Sequence, residues 1–229
     1  MSTTSVDVGS PRPDRRALRR QQTIAEILDI AQQVMTEEGV NGLSISEVAR
    51  RLGVQPPSLY KYFDSLMALY DALFNRGQIA HLAALQAANE QAEPGLDALH
   101  AMLDASGRWS VENNPIAQLM FYRPVPNFAP SDEAMEHSFA MAKLERGALA
   151  DAVARGQLGP GADSDEALRV VSILMSGALG QTIANEPNVP WGTGNYSSLL
   201  PRLIELLRAV YPPDTEAGSR TKAASAGPT

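Results

Sequence analysis

The sequence of 229 residues contains no cysteine. That absence excludes disulfide bonds, thiolate metal sites and a cysteine nucleophile. The chain also lacks any apolar run approaching the roughly 18 residues of a membrane span, and its N-terminus has no apolar signal-peptide core. We therefore expect a soluble, cytoplasmic protein without a membrane partner.

Motifs of catalysis and cofactor binding are missing as well. The three histidines, His81, His100 and His137, do not have the spacing of metal ligands. The chain has no Gly-x-Ser-x-Gly elbow, no P-loop and no Gly-x-Gly-x-x-Gly fingerprint. We therefore expect a protein that is not an enzyme and that binds neither a metal nor a cofactor.

Helical periodicity is what the sequence does have. Apolar residues make up 44% of the chain, and between residues 22 and 38 they repeat at the spacing of one helical face, which Gly39 ends. A proline-free segment at 65–89 predicts one long connecting helix. No strand pattern or internal repeat occurs, so the sequence predicts an all-α fold. Further helices are predicted at about 96–112, 115–122, 131–155, 164–185 and 197–210.

Two short helices joined by a tight turn are predicted within residues 43–63. Ser44 and Glu47 fit a capping box, in which each side chain accepts a hydrogen bond from the other residue's amide. Gly53 lies where the chain must leave the first helix in a left-handed conformation. The second helix is predicted to begin at Pro56–Pro57, because proline is tolerated in the first helical turn.

The second helix of this pair has a buried and an exposed face. Leu59 and Phe63, at i and i+4, are predicted to point into a core. A polar outer face of this width fits the major groove of DNA, where donors reach base edges and phosphates. An ordinary helical hairpin within a core is the alternative interpretation. The outer face consists of hydrogen-bond donors, with one cation and no acid: Gln55, Ser58, Tyr60, Lys61 and Tyr62.

The pattern Gly-Val-x-x-x-x-Leu-Tyr-x-x-Phe, which begins at Gly53, closely resembles the recognition unit of the tetracycline repressor (TetR) family. The resemblance is specific over about 23–73, and beyond residue 90 it is limited to helix number and length. It implies a helix-turn-helix head that binds a double-stranded DNA operator. Leu66 departs from the family, which usually has a lysine there, so one phosphate contact is in doubt. The DNA-binding residues implied are Ser44, Ser46, Gln55, Pro56, Pro57, Ser58, Tyr60, Lys61 and Tyr62.

Charge is distributed unevenly along the chain. The net charge is −7, but residues 12–71 are neutral, and five arginines lie between residues 12 and 20. Serine, proline and glycine near the N-terminus predict a flexible arm. Arginines on such an arm either enter the minor groove and bind phosphates or form a solvated basic tail. These arginines are Arg12, Arg15, Arg16, Arg19 and Arg20.

The last two predicted helices, about 164–185 and 197–210, are apolar on too many sides for surface helices. As a monomer the protein would expose a large apolar patch, so we expect a homodimer joined through these two helices. The expected architecture is a three-helix helix-turn-helix head joined by a long helix to a larger ligand-binding and dimerisation domain. The predicted regions are a flexible basic arm (1–20), a DNA-binding domain (21–70), an effector-binding and dimerisation domain (71–211) and a disordered tail (212–229).

A small-molecule effector is expected between about residues 80 and 155. That segment has few basic residues and no glycine-rich phosphate loop, which favours a small apolar or aromatic ligand over a phosphorylated one. Each candidate taken alone also fits an ordinary core position, so the prediction concerns the group. The candidates are His100, Met102, Trp109, Met120, Phe121, Tyr122, His137, Phe139 and Met141.

Together these patterns predict a one-component transcriptional regulator. Repression is the expected mode, with release of a pseudo-palindromic operator when the effector binds. Activation instead of repression would depend on where the operator lies, which the protein sequence does not contain. The alternative is a helical small-molecule-binding or scaffolding protein without sequence-specific DNA binding.

Overall fold

The computed structural model describes residues 15–214, which form α-helices, short 3₁₀ turns and loops, with no β-strand in that range. The predicted all-α class is confirmed. The 3₁₀ segments are Val40–Gly42, Pro56–Lys61, Pro160–Ala162 and Ser197–Leu199. The α-helices are α1 (Arg15–Glu38), α2 (Ile45–Arg51), α3 (Leu66–Gln91), α4 (Leu96–Glu112), α5 (Asn114–Phe121), α6 (Asp132–Ala154), α7 (Asp165–Asn185) and α8 (Leu200–Val210).

The chain divides into two compact units, one ending at Leu69 and the other beginning at Tyr70. We call the described part of the first unit, residues 15–69, the head, and that of the second, residues 70–214, the body. Helix α3 runs without a break through the boundary between them. The two units are therefore continuous in backbone, although each has its own internal packing.

Helix α1 begins at Arg15, seven residues before the predicted start at 22. Residues 15–20, expected on a flexible arm, are helical because arginine, alanine and leucine are all strong helix formers. Residues 1–14, including Arg12, lie outside the described residues, as do residues 215–229 of the expected tail. The predicted helical stripe of α1 is buried at Ile27, Leu28, Ala31, Val34 and Met35.

The turn between α2 and the following segment matches the prediction in two respects and differs in one. Ser44 caps α2, with its hydroxyl oxygen 3.2 Å from the donating amide of Glu47, and Gly53 adopts a positive φ of 69°. The reciprocal half of the capping box is wrong. The Glu47 carboxylate accepts hydrogen bonds from Arg50 and Arg51 instead, because these guanidiniums are charged donors on the same helix face.

The body is built around α4, which packs against α5, α6, α7 and α8. Its bounds are those predicted, since Pro94–Gly95 precedes it and Asn113 ends it. Trp191, in the segment between α7 and α8, is buried against Gly107 of α4, and its indole nitrogen donates to Asp104 Oδ1 at 3.0 Å. The loop before α8 is therefore held to the centre of the body by a side chain.

Candidate functional site

The recognition segment, residues 55–62, is a short 3₁₀ helix flanked by Gln55 and Tyr62 rather than a regular α-helix. Two prolines at its start cannot donate to the backbone, and the Ser58 amide donates to the Gln55 carbonyl at 2.8 Å, an i to i+3 bond. Leu59 and Phe63 are buried, as predicted, at 1% and 6% exposure. These two side chains fix which face of the segment is turned outward.

The predicted DNA-contacting residues lie on two elements of the head, the start of α2 and the recognition segment. Gln55, Pro57, Tyr60 and Lys61 are exposed, whereas Pro56, Ser58 and Tyr62 are half-buried. On α2, Ser46 is exposed and Ser44 is half-buried, because the Ser44 hydroxyl accepts the cap bond. That hydroxyl keeps its own hydrogen for donation. The two elements therefore offer amide, hydroxyl and ammonium donors from neighbouring turns.

Tyr62 is positioned by a residue that the sequence analysis placed on the arm. The guanidinium carbon of Arg20 on α1 lies 5.7 Å from the centre of the Tyr62 ring, within the range of a cation–π contact. This contact follows from the early start of α1, which carries Arg20 alongside the recognition segment. No local sequence pattern links residues 20 and 62, so the contact could be found only in the fold.

Acids of the head neutralise the two arginines of α2. Arg50 and Arg51 both donate to Glu47, whose pKa they lower to about 2. Arg51 also pairs with Glu37 and Glu38 at 2.8 and 3.0 Å, which ties the end of α1 to α2. In contrast, the Lys61 ammonium forms no ion pair with any residue in the range 15–214. Lys61 is therefore the recognition segment's available positive charge for a phosphate.

A cavity of about 370 Å³ lies within the body, between α3, α4, α5, α6 and α7. Its wall is mostly apolar, with aromatic and methionine side chains such as Phe74 and Met175. Its polar groups are Gln78, His81, Ser106, Arg123, Ser138, Glu145, Arg169, Ser172 and Ser176. A mostly apolar wall with a few polar groups is typical of a small-molecule site.

The structure separates the predicted effector residues into three sets. Met120, Phe121 and Met141 line the cavity. Met102 is fully buried in the core, and Trp109 stacks against the His81 ring with centroids 4.8 Å apart. The remaining four have other positions: His100 and His137 are half-buried, and Tyr122 and Phe139 are exposed, Phe139 to 68%.

His81 is a cavity residue that the sequence analysis did not select. Its Nε2 lies 2.9 Å from Ser106 Oγ, and its ring lies between Trp109 and Phe121. Burial lowers its pKa to about 4, so the imidazole is neutral at pH 7. Within residues 15–214, His81 Nδ1 and the nearby Gln78 Oε1 are both buried without a hydrogen-bond partner.

Glu145 is a second such residue. It follows Ser138, Met141 and Ala142 on one face of α6 and lines the same cavity. Burial raises its pKa from the usual 4.5 to about 7. Its carboxyl group forms no hydrogen bond or ion pair with another residue between 15 and 214. Glu145 is therefore a desolvated carboxyl group without a protein counter-charge.

The sequence contains a signal for the cavity residues Gln78, His81 and Glu145. Gln78 and His81 fall on the same face of α3 as Phe74 and Leu85, at the spacing i, i+4, i+7 and i+11. Glu145 likewise continues an apolar stripe of α6. Polar residues on an apolar helix face are the pattern that indicates a polar group within a cavity.

Helices α7 and α8 each have an apolar face that the body leaves exposed. On α8, Leu200, Ile204 and Leu207 are buried, while Leu206 and Val210 are 49% and 59% exposed, as is Leu199, just before the helix, at 52%. On α7, Ile173 is 70% exposed and Gly177 has open space around it. By length and composition α7 could also cross a membrane, and 28% of that apolar window is buried in the body.

The sequence of the head is similar to that of known transcriptional regulators. The family described as bacterial regulatory proteins, tetR family, matches residues 27–73, which include α2 and the recognition segment. The uncharacterized HTH-type transcriptional regulator YobS of Bacillus subtilis is 39% identical over 51 residues, which are 22% of this chain and 27% of that protein. The resemblance drawn from the residues after Gly53 is confirmed by these matches.

Two further comparisons extend beyond the head. The HTH-type transcriptional regulator Rv1816 of Mycobacterium tuberculosis is 28% identical over 148 residues, 63% of this chain and 62% of that protein. The chain therefore spans less than two thirds of these curated relatives. The structure of the transcriptional regulator FadR from Bacillus subtilis in complex with stearoyl-CoA superposes with a TM-score of 0.66 at 16% identity, covering 80% of this chain and 96% of that one. This second likeness is one of fold.

Proposed function

We propose that the chain, whose residues 27–73 match the tetR family of bacterial regulatory proteins, is a one-component repressor. In this proposal the head binds a pseudo-palindromic double-stranded DNA operator in the cytoplasm, two chains act as a homodimer, and a small effector in the body releases the DNA. The observation that carries it is the recognition segment, where Gln55, Tyr60 and Lys61 are exposed above the buried Leu59.

The roles within the head follow from the chemistry of each side chain. Lys61 is proposed to contact a phosphate, because an ammonium is a point charge and has no ion pair within residues 15–214. Gln55 and Ser58 open the segment and are proposed to reach base edges in the major groove. Ser44 and Ser46, at the start of α2, are proposed to bind the DNA backbone, together with Tyr60 and Tyr62 beside Lys61.

A gel-shift with the DNA upstream of the protein's own gene tests the function directly. We expect a shift that is lost when the upstream DNA is replaced by random DNA of the same length. A protein that binds both DNAs equally, or neither, would instead be the helical ligand-binding or scaffolding alternative. Reporter expression from the same DNA in cells distinguishes repression from activation.

Substitutions in the recognition segment test the proposed roles. Lys61→Ala should weaken binding to operator and random DNA alike and lower the slope of log affinity against log salt by about one. Gln55→Ala should instead change base preference, at a cost of about 1–3 kcal/mol for the operator alone. The roles would be wrong if both variants affected the two DNAs equally.

The homodimer is proposed to form through α7 and α8. The exposed Leu206 and Val210 and the half-buried Leu203 occupy one stripe of α8, which the exposed Leu199 continues just before the helix. On α7, Gly177 and the exposed Ile173 allow a second helix to approach closely. Leu174→Glu or Leu203→Glu should therefore produce monomers by light scattering and abolish operator binding. A wild-type monomer at micromolar concentration would contradict the proposal.

The effector is proposed to occupy the cavity of the body. A ligand that prefers one conformation of the body shifts the operator affinity only by its difference in affinity for the two conformations. Helix α3 lines the cavity and continues into the head, so it is the proposed route of coupling. The mostly apolar wall, together with Met120 and Met141, favours a small apolar or aromatic molecule over a phosphorylated one.

A thermal-shift screen of small apolar molecules, repeated with operator present, tests this part. A true effector should raise the melting temperature and release the DNA. Phe121→Ala, in the cavity wall, and Trp109→Ala, behind His81, should reduce release without changing DNA binding. Stearoyl-CoA, the ligand of the FadR complex, is the phosphorylated comparison, and release by that compound in both variants would contradict the proposed pocket and ligand class.

A further inference from the structure

One carboxyl group on the cavity wall has no counter-charge among residues 15–214. Glu145 lines the cavity with a carboxyl group that has no partner in the range 15–214, although many surface carboxylates of the body are paired. Arg146, the next residue, does not serve as the counter-charge. Its guanidinium forms ion pairs with Asp163 and Asp165, at 2.9 and 2.7 Å.

Other unsatisfied groups in the cavity have a related chemistry. The Gln78 side chain is 4% exposed, and its Oε1 is an acceptor without a donor among residues 15–214. His81 is equally buried, and when Nε2 donates to Ser106, its free Nδ1 is also an acceptor. A ligand that fits this set must bring hydrogen-bond donors, because leaving buried acceptors unpaired is costly.

Two arginines on the cavity wall would favour an anionic ligand instead. Arg123 and Arg169 both line the cavity, but both are exposed and therefore remain solvated without a ligand. Neither forms an ion pair with Glu145. The raised pKa of Glu145 has burial as its cause, with no contribution from a nearby cation. The carboxyl group on the cavity wall is thus half-buried, whereas both arginines are exposed.

We infer that the effector carries a protonated nitrogen on an apolar or aromatic body and that Glu145 binds this nitrogen inside the cavity. The inference rests on the proposed effector site and specifies its ligand class. An ammonium or amidinium group supplies both the counter-charge that Glu145 lacks and donors for Gln78 Oε1 and His81 Nδ1. The aromatic and methionine side chains of the wall then contact the apolar body of the ligand.

The test compares three probes of one shape: 4-phenylbutylamine, 4-phenylbutan-1-ol and 4-phenylbutyrate. Their dissociation constants are measured by calorimetry at pH 7.5 on the full-length protein without DNA. The amine should bind at least about tenfold more tightly than the alcohol and the acid, since a hydrogen bond between two charged groups is stronger than one between neutral groups. An amine that binds no more tightly than the alcohol, or not at all at millimolar concentration, overturns the inference.

Matched variants locate the effect. Glu145→Gln keeps the shape of the side chain and should make the amine and the alcohol bind equally, while Glu136→Gln, at an exposed position of the same helix, should leave the preference unchanged. The melting temperature of Glu145→Gln without ligand should not fall, which shows that the variant is folded. Tightest binding of the acid, lost in Arg169→Gln, would instead assign the site to anions.

The operator gel-shift without ligand keeps this result separate from the proposed function. A protein that selects the amine through Glu145 but never binds its upstream DNA would retain the ligand class and lose the repressor assignment. A protein that binds its operator and shows no preference for the amine would retain the repressor assignment and lose the ligand class.

Discussion

The head and the body each contain an informative glutamate, and the two respond to their surroundings in opposite directions. Glu47 in the head accepts hydrogen bonds from Arg50 and Arg51, which lower its pKa to about 2. Glu145 in the body has no such partner within residues 15–214, and burial raises its pKa to about 7. The charges of α2 in the head are thus paired with one another, whereas the body keeps a carboxyl group available on the wall of a cavity.

The same difference extends to how each unit presents its candidate site. In the head, the candidate donors lie within residues 44–62, on α2 and the recognition segment that follows it, and the core only orients them. In the body, the cavity wall is assembled from five helices between Phe74 and Leu179. A surface for a large, rigid partner such as DNA can be built locally, but a cavity that encloses a small molecule requires walls on several sides.

The largest effect on stability is expected from truncating a core leucine side chain to alanine in each unit. Leu59 and Leu103 are buried to 1% and 2% exposure, and either substitution to alanine should cost about 2–5 kcal/mol. Leu59→Ala should abolish operator binding while the body remains dimeric and binds ligand, because a head of this size has little stability to lose. Calorimetric melting measures the loss of stability, and light scattering measures the dimer. Loss of the dimer in Leu59→Ala would show that the units are not independent.

The second prediction uses the opposite effects of His81 and Glu145 on the pH dependence of stability. His81 has a folded pKa near 4, below its usual 6.5, so its stabilising effect is present above pH 6.5 and is lost as pH falls towards 4. Glu145 has a folded pKa near 7, above its usual 4.5. Its contribution to folding stability is therefore present below pH 4.5 and is lost as pH rises towards 7.

These two slopes oppose each other between pH 4.5 and 6.5. Glu145→Gln should therefore make unfolding free energy rise more steeply with pH in that window, by up to about 1.4 kcal/mol per pH unit, and His81→Asn should make it fall relative to wild type. Urea unfolding at several pH values measures both slopes. Identical profiles for the two variants would show that these groups titrate normally in the folded protein.

The third prediction concerns the packing of Trp191 against α4. A methyl group added at Gly107 would overlap the Trp191 indole, so Gly107→Ala should destabilise the body by about 1–3 kcal/mol. The matched control is Gly147 on α6, which has open space around it, and Gly147→Ala should stabilise by up to about 1 kcal/mol. Tryptophan fluorescence during urea unfolding reports both, and equal behaviour of the two variants would contradict the close packing.

The smallest effect on stability is expected from removing a helix N-cap in each unit. Ser44 in the head and Ser131 in the body accept a hydrogen bond from the amide three residues later, both at 3.2 Å. Either serine changed to alanine should cost about 1 kcal/mol. Ser44→Ala should weaken operator binding as well, since it starts the helix next to the recognition segment, whereas Ser131→Ala should affect only the melting temperature. Operator binding equally reduced by both would remove the distinction between the units.

Much of the helical framework could be predicted from local signals. The caps Ser44, Ser131 and Ser164 and the stops at Gly39 and Gly156 depend on a few neighbouring residues, so sequence alone indicates them. The start of α1 was missed because arginine-rich sequence is compatible with both a helix and a solvated arm. The capping box at Glu47 was missed in part because two arginines compete for the same carboxylate.

What the sequence by itself determined is the head's motif, because its turn, its caps and the alternation of Leu59 and Phe63 with exposed donors all lie within some twenty consecutive residues. Only the tertiary structure decided that Arg20 would lie over Tyr62, that Trp191 would be buried on Gly107, and that Gln78, His81 and Glu145 would share one cavity. The physical reason is that burial and the absence of a counter-charge depend on helices far apart in sequence, and the pKa of a carboxyl group depends on both.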